Sequence, residues 1–410
     1  MTENLFTQAL GLTTPWAVRA VRFTPDQHRI DFDVTAQRGA CFACPACSAT
    51  ETSIHDRMER SWRHLDFFQY EAFIHAAVPR VKCRACGKVT QVEVPWARPG
   101  SHFTLLFEAF MLQLAPHMSV ANLARQLRVG DDPLWRVLNH HTQAARAQES
   151  YADVCAIGVD ETASKRGQSY ITVVYDLTGE RLIFATEGRG KDSLAAFAED
   201  LKAHGGDPMA IKHVSLDLSA AYQAGTRENL PNAELCFDRF HVVSLANEAL
   251  EQVRRAEQKT EPVLKGCRWG LLKDPSRWSR KQTEKMHWLQ RSNLKSARGW
   301  RVKQGLRSIY RTATRPEEAE PLLKRWCSWA SRCRLEPFKK MARTVKKHWD
   351  GILAGFQNGM HNAKVEAMNR ALQEARARAR GYRNPQNYIT MAFLIAGKLK
   401  HLPENPFGRP

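Results

Sequence analysis

The stretch from Val154 to Val242 constrains the fold more than any other part of the chain, because short apolar runs alternate in it with helical ones. VCAIGVDE reads as a buried strand, and QSYITVVYDL and ERLIFATEG as two strands joined by a hairpin at Thr178 and Gly179. A helix SLAAFAEDLKAHG, a strand IKHVSLDLS, a short helix AAYQAGTREN and a strand AELCFDRFHV follow. Three antiparallel strands, a crossover helix and then parallel strands make an α/β sheet.

That order is ribonuclease H-like, and its acids stand where such a sheet does chemistry. Asp160 and Asp217 each end an apolar strand, where side chains face a crevice. Phosphoryl transfer by two divalent ions needs a third carboxylate from a later helix. HNAKVEAMNRALQEARARARGY, from His361 to Tyr382, offers Glu366. At helical spacing Asn362, Glu366, Asn369 and Arg370 share a polar face, while Val365, Met368, Leu372 and Ala375 form the packing stripe. Taken alone, Glu366 and Arg370 would be an ordinary surface pair; two strand-end aspartates awaiting a third ligand shift the reading to a metal ligand, with Asn362 and Asn369 orienting it. Hard carboxylate oxygens suit Mg²⁺ or Mn²⁺. Glu161 points away from Asp160, and Asp176 sits at a turn, so each reads as structural or as a support for the metal ligands. Asp238 and His241 either cap the next helix or line the same crevice.

The net charge of +19 calls for a polyanionic partner, either nucleic acid or an acidic membrane surface. All of it lies in Arg254 to Lys347, which holds 27 Lys plus Arg against 8 Asp plus Glu, while the remainder carries 34 of each. Six of the eleven tryptophans fall in the same segment, and basic residues interleaved with aromatics suit DNA. No apolar run approaches the roughly 20 residues of a membrane span, and the opening MTENLFTQALGL lacks the basic n-region, long apolar stretch and small-residue cleavage site expected of a leader peptide. A cytoplasmic, nucleoid-associated protein without structural disulfides is expected.

Alternating runs in the first forty residues suggest strands leading into CFACPACS and, later, VKCRACGK. Cys44, Cys47, Cys83 and Cys86 form two Cys-x-x-Cys knuckles suited to structural zinc, with Cys41 as a substitute for Cys44. Helical runs FTLLFEAFMLQLA, SVANLARQL and DPLWRVLNHHTQAA then suggest a helix-turn-helix. Asp132 would cap its last helix, whose Leu134 to His141 stretch would enter a major groove with Trp135 and Arg136 as contacts.

The order CPAC, CRAC, helix-turn-helix, GVDE, VSLD, DRFH and NAKVEAMNRALQEARARARGYRN resembles the ISL-three family of bacterial insertion-sequence transposases over nearly the whole chain. The resemblance implies a DDE triad of Asp160, Asp217 and Glu366, with Asp238 and His241 matching an Asp-x-x-His motif. It implies a zinc-binding domain (1–98), a helix-turn-helix (99–150), and a ribonuclease H-like core (151–243 and 356–410) interrupted by a basic helical insertion (244–355). The expected activity is Mg²⁺-dependent cleavage of terminal inverted repeats and transfer into target DNA, by a dimer or larger assembly. Arg370, Arg376 and Arg380 would meet the phosphate backbone. The family's first knuckle usually carries Gly after its second cysteine, where this chain has Ser48. The alternative is a zinc and helix-turn-helix regulator with an inert ribonuclease H-like domain.

Overall fold

The computed structural model describes residues 2–165, 167, 169–357 and 363–405, in two compact units. The first runs to Ala145 and takes in the segment from Lys400; the second spans Arg146–Leu399.

In the first unit, α1 (Thr2–Ala9) precedes β1 (Trp16–Thr24) and β2 (Arg29–Ala36), which pair as a hairpin. β3 (Thr52–Arg63) and β4 (Glu71–Cys83) pair antiparallel, β4 runs parallel to β2, and β5 (Val89–Gln91) joins β4. Two of these elements departed from the alternating pattern. α1 lies where only strands were expected, and Phe6 packs on Phe32 at 5.1 Å. β3 escapes an apolar-alternation reading because most of its side chains are exposed; backbone pairing along β4 holds it instead. Trp96 meets Trp16 and Trp62 edge-on at 5.1 and 5.5 Å, closing the core under the sheet.

α2 (Leu105–Leu114), α3 (Val120–Leu127) and α4 (Asp131–Arg146) form the expected trihelical region. Thr104 and Ser119 cap α2 and α3 by accepting from the Phe107 and Asn122 amides. α4 starts at Asp131, one residue before the expected cap, so Asp132 lies within its first turn. The turn's left-handed residue is Arg128 (φ 55°), not Gly130. Glu108, fully buried, ties α2 to α4 by accepting from Arg98 Nε (2.9 Å) and Ser101 Oγ (2.5 Å) and bonding His141 Nε2 (2.6 Å). Burial pushes this carboxyl up, but His141, Ser101 and Arg98 together outweigh it and hold it below its usual range.

The second unit opens with β6 (Ala156–Ala163), β7 (Tyr170–Asp176) and β8 (Arg181–Glu187), a meander held at one turn by buried Asp176. Its carboxylate accepts from the Thr178 and Gly179 amides, both at 3.0 Å, and from Arg181 Nε at 3.3 Å. α5 (Lys191–Ala203) crosses to β9 (His213–Leu216), and α6 (Ala220–Asn229) leads to β10 (Glu234–Phe237). The order β10-β9-β6-β7-β8, with β9 and β10 parallel to β6, is the one expected. α7 (Arg239–Glu257), α8 (Arg268–Leu272), α9 (Arg280–Arg291), α10 (Lys295–Thr312), α11 (Pro316–Arg332), α12 (Glu336–Lys347) and α13 (Trp349–Gln357) follow, then α14 (Ala363–Arg378) and α15 (Pro385–Ala396).

The basic helical segment does not fold as a separate body. One apolar core runs from Val159 and Leu216 in the sheet through Leu250 in α7 to Leu306, Trp326 and Phe338. α7 is the shared element: its first turn stands at the sheet and its later turns pack α10 and α12. α13 is already back at the sheet, since a Cβ on Gly351 would lie 2.5 Å from the Phe237 ring.

Candidate active site

β6 does not end at Asp160; it continues to Ala163, because Glu161, Thr162 and Ala163 keep pairing with β7. The acid still belongs to the crevice. Ala156, Ile157 and Gly158 pair with His213, Val214 and Ser215, and the same register brings Asp160 level with Asp217, just past the end of β9. Phe237 pairs with Leu216, so Asp238 falls in the same row just past the end of β10. Asp160, within β6, therefore stands in one row with Asp217 and Asp238, which lie just beyond the ends of β9 and β10. Glu161 faces the other way, where it acts on Tyr222.

Helix α14 lies along β6, and the residues facing the strand recur with helical period. Val365 meets Gly158, Asn369 meets Asp160, and Arg376 meets Ala163. Val365 and Leu372 are buried, as the sequence stripe implied. A Cβ on Gly158 would lie 3.1 Å from both Leu177 and Val365, so glycine lets the helix approach. The sequence face needs one correction: Asn369 is buried rather than solvent-facing. Its Nδ2 donates to Asp160 Oδ2, and its Oδ1 accepts from Tyr175 at 2.6 Å. Tyr175, wholly buried on β7, was not picked out from sequence, since in YITVVYD it reads only as core.

Glu366 remains exposed and lines a crevice of about 280 Å³ with Asp160, Asp238, His241, Asn369 and Arg370. Arg370 stands 3.9 Å from its carboxylate, with the two side chains 71 and 62% exposed. Such a pair contributes at most about 0.5 kcal/mol, and it leaves Glu366 open to a ligand. Asn362 lies outside the described residues. Asp238 does both things open to it: it caps α7 by accepting from the Phe240 amide at 2.9 Å, and it lines the crevice. His241 follows in the first turn of α7 rather than on a strand.

Burial raises the Asp160 carboxyl to about 6, against the lowering influence of the Glu161 amide and His241, and the Asp217 and Asp238 charges add to the rise. Carboxylates gathered at that electrostatic cost fit a divalent cation, whose charge would relieve the repulsion.

The arginines behind the site diverge. Arg376 donates from Nη1 to the Ala163 carbonyl at 2.9 Å and so anchors α14. The helix ends at Arg378, and Arg380 turns left-handed (φ 57°) beyond it. Arg370 and Arg380 are exposed.

In the first unit Cys44, Cys47, Cys83 and Cys86 place their sulfurs within 4.8 Å of one another. Cys44 approaches Cys86 at 3.8 Å and Cys47 approaches Cys83 at 3.6 Å, spacings a tetrahedral thiolate site requires. Cys41 instead points to the Gly39 carbonyl, outside the cluster. Ser48 adopts the left-handed conformation (φ 59°) that Gly87 (φ 69°) takes in the second knuckle, so the turn forms without the glycine. On α4, Arg136 is exposed, Trp135 is half-buried and His141 faces inward to Glu108.

Comparison with known proteins follows the same division. Residues 157–392 match a family model described as a transposase of the ISL3 DDE type. Residues 92–142 match the helix-turn-helix domain of transposase family ISL3, and 41–86 the zinc finger of transposases IS204/IS1001/IS1096/IS1165. The chain is 30% identical over 440 residues to the transposase of insertion sequence element IS1557 from Mycobacterium tuberculosis, covering 98% of this chain and 97% of that one. It is 24% identical over 397 residues to the IS1001 transposase of Bordetella parapertussis, at 95 and 97% coverage. Among the described residues no helix is long and apolar enough to cross a membrane.

Proposed function

Because the chain belongs to the ISL3 family and is a DDE transposase of an insertion sequence, we propose that Asp160, Asp217 and Glu366 are its catalytic carboxylates and hold Mg²⁺. The observation that carries this reading is the register that sets Asp217, just past the end of β9, level with Asp160 on β6, with Glu366 on the helix docked against β6. Divalent ions held there supply activation of the attacking water or 3′-hydroxyl and stabilisation of the leaving oxygen.

The chain's own residues set the stage for that chemistry. Asn369, itself fixed by Tyr175, and the Glu161 amide at 2.7 Å hold the two oxygens of Asp160 in one orientation. The Ser219 amide at 2.9 Å does the same for Asp217. Arg370 at the crevice mouth offers a phosphate contact, as does Arg380. Zinc held by the four cysteines shapes the first unit, and the helix-turn-helix, with Arg136 and Trp135 on α4, reads the terminal inverted repeats. The helical segment 244–355 neutralises phosphates of the same DNA end, and a dimer or larger assembly brings two ends together.

An inert catalytic domain is not favoured, since the relatives aligned along nearly the whole chain are transposases. The reading is tested by metal-dependent cleavage and joining of a labelled end duplex, with each carboxylate replaced by its amide.

A further inference from the structure

A second cavity of about 670 Å³ adjoins the crevice and shares Asp238, Phe240 and Glu366 with it. Its walls come from α7, the segment after α8, and α10. Arg239, Lys273, Arg277 and Arg311 bring exposed cationic side chains to it. Arg307, also lining it, is engaged by Asp274. A volume of this size suits a ligand of about one or two nucleotides and not a duplex, and the cationic wall suits phosphates.

Phe240 stands at the junction. It is 60% exposed, although the core-facing residues of α7 around it, Val242 and Ala246, are buried. Its main ring neighbour is His241, edge-on at 5.7 Å. Two residues after Asp238, an aromatic face is thus presented between the carboxylates and the cationic cavity.

We propose that Phe240 is a stacking platform for one unpaired base beside the scissile phosphate, and that the strand carrying this base enters the cavity lined by Arg239, Lys273, Arg277 and Arg311. The inference rests on the catalytic reading above. Base–aromatic stacking tolerates any sequence because every base has a π-face, and removing a base from the duplex is offset by such a contact.

The test uses the full chain and the element's own end duplex, with 2-aminopurine placed singly at each position flanking the cleaved bond and Ca²⁺ replacing Mg²⁺ to hold ends uncleaved. Emission is expected to rise at one flanking position with the wild type and to stay at the duplex level with Phe240→Ala. In Mg²⁺, Phe240→Ala should cleave paired ends about tenfold more slowly, within the range for losing one stacked base. Phe240→Trp should retain activity, and a mismatch at the responsive position should restore cleavage by Phe240→Ala. The proposal is overturned if no position responds in the wild type, or if Phe240→Ala treats paired and mismatched ends alike, whether at full or reduced rate. A wild-type chain that cleaves neither substrate with any divalent metal would instead overturn the catalytic reading beneath it.

Discussion

Asn369 on α14 donates its side-chain amide to the Oδ2 of Asp160 on β6, joining residues 209 apart in sequence. The bond places the helix that carries Glu366 against the strand that carries the first aspartate. It also explains why a buried polar residue sits in the packing face of α14: its oxygen is satisfied by Tyr175 and its nitrogen by the carboxylate.

Replacing Asn369 by Ala should therefore lower cleavage by roughly 10- to 100-fold, the usual effect of losing a group that orients a metal ligand. Tyr175→Phe should do the same more weakly. In both, raising the divalent metal concentration should recover part of the rate; an unchanged metal dependence would mean that the pair serves only packing.

Gly158 permits close approach of α14. Gly158→Ala would put a methyl 3.1 Å from Leu177 and Val365, and overpacking of this kind costs about 1–3 kcal/mol. Thermal unfolding should show the loss, and cleavage should fall further than stability because Glu366 moves with the helix.

Chelation should remove one zinc per chain and abolish binding to the terminal repeats, while the second unit keeps its helical signal. Its core, running from Val159 to Phe338, includes none of the four cysteines. Cys83→Ser should reproduce the effect. Cys41→Ser should not, since Cys41 bonds Gly39 outside the cluster.

Lys303 gives a pH signature. It is fully buried and donates to the Leu271 and Leu272 carbonyls at 2.5 and 2.9 Å, and burial, with Arg307 nearby, pushes its amine down to about 7. Between pH 7 and the ordinary lysine value of about 10.4, the unfolded chain binds more protons at this site than the folded one. Stability from this group should therefore rise with pH across that window. Lys303→Met should flatten the rise in Tm between pH 7 and 10; an unchanged slope would contradict the assignment.

Most of the strand order was legible because the apolar runs of the sheet are buried on both faces and punctuated by turns. The aspartates were legible as acids abruptly ending such runs, though Asp160 proved to lie within its strand, where pairing with β7 continues. The inward turn of Asn369 was not legible. A face assigned by polarity counts asparagine as outward, and it is the positions of Tyr175 and Asp160 on the sheet that make its burial favourable. β3 was missed for a related reason, since its partner and not its own composition holds it in the sheet. The end of α14 was not legible either, because nothing in an alternating Ala-Arg run marks where the helix stops; left-handed Arg380 and Gly381 (φ 57° and 95°) follow its last residue, Arg378, by two and three positions.

Glu366 is proposed to complete a metal-binding triad with Asp160 and Asp217. The most direct measurement of this role is Mg²⁺-dependent cleavage and joining of a labelled terminal-repeat duplex by wild type and Glu366→Gln, at matched folding and matched DNA binding. Glu366 is exposed and its pairing with Arg370 is weak, so the substitution should leave the Tm unchanged while cleavage and joining fall by several orders of magnitude. A Glu366→Gln chain that cuts and joins at the wild-type rate would rule out this role for Glu366.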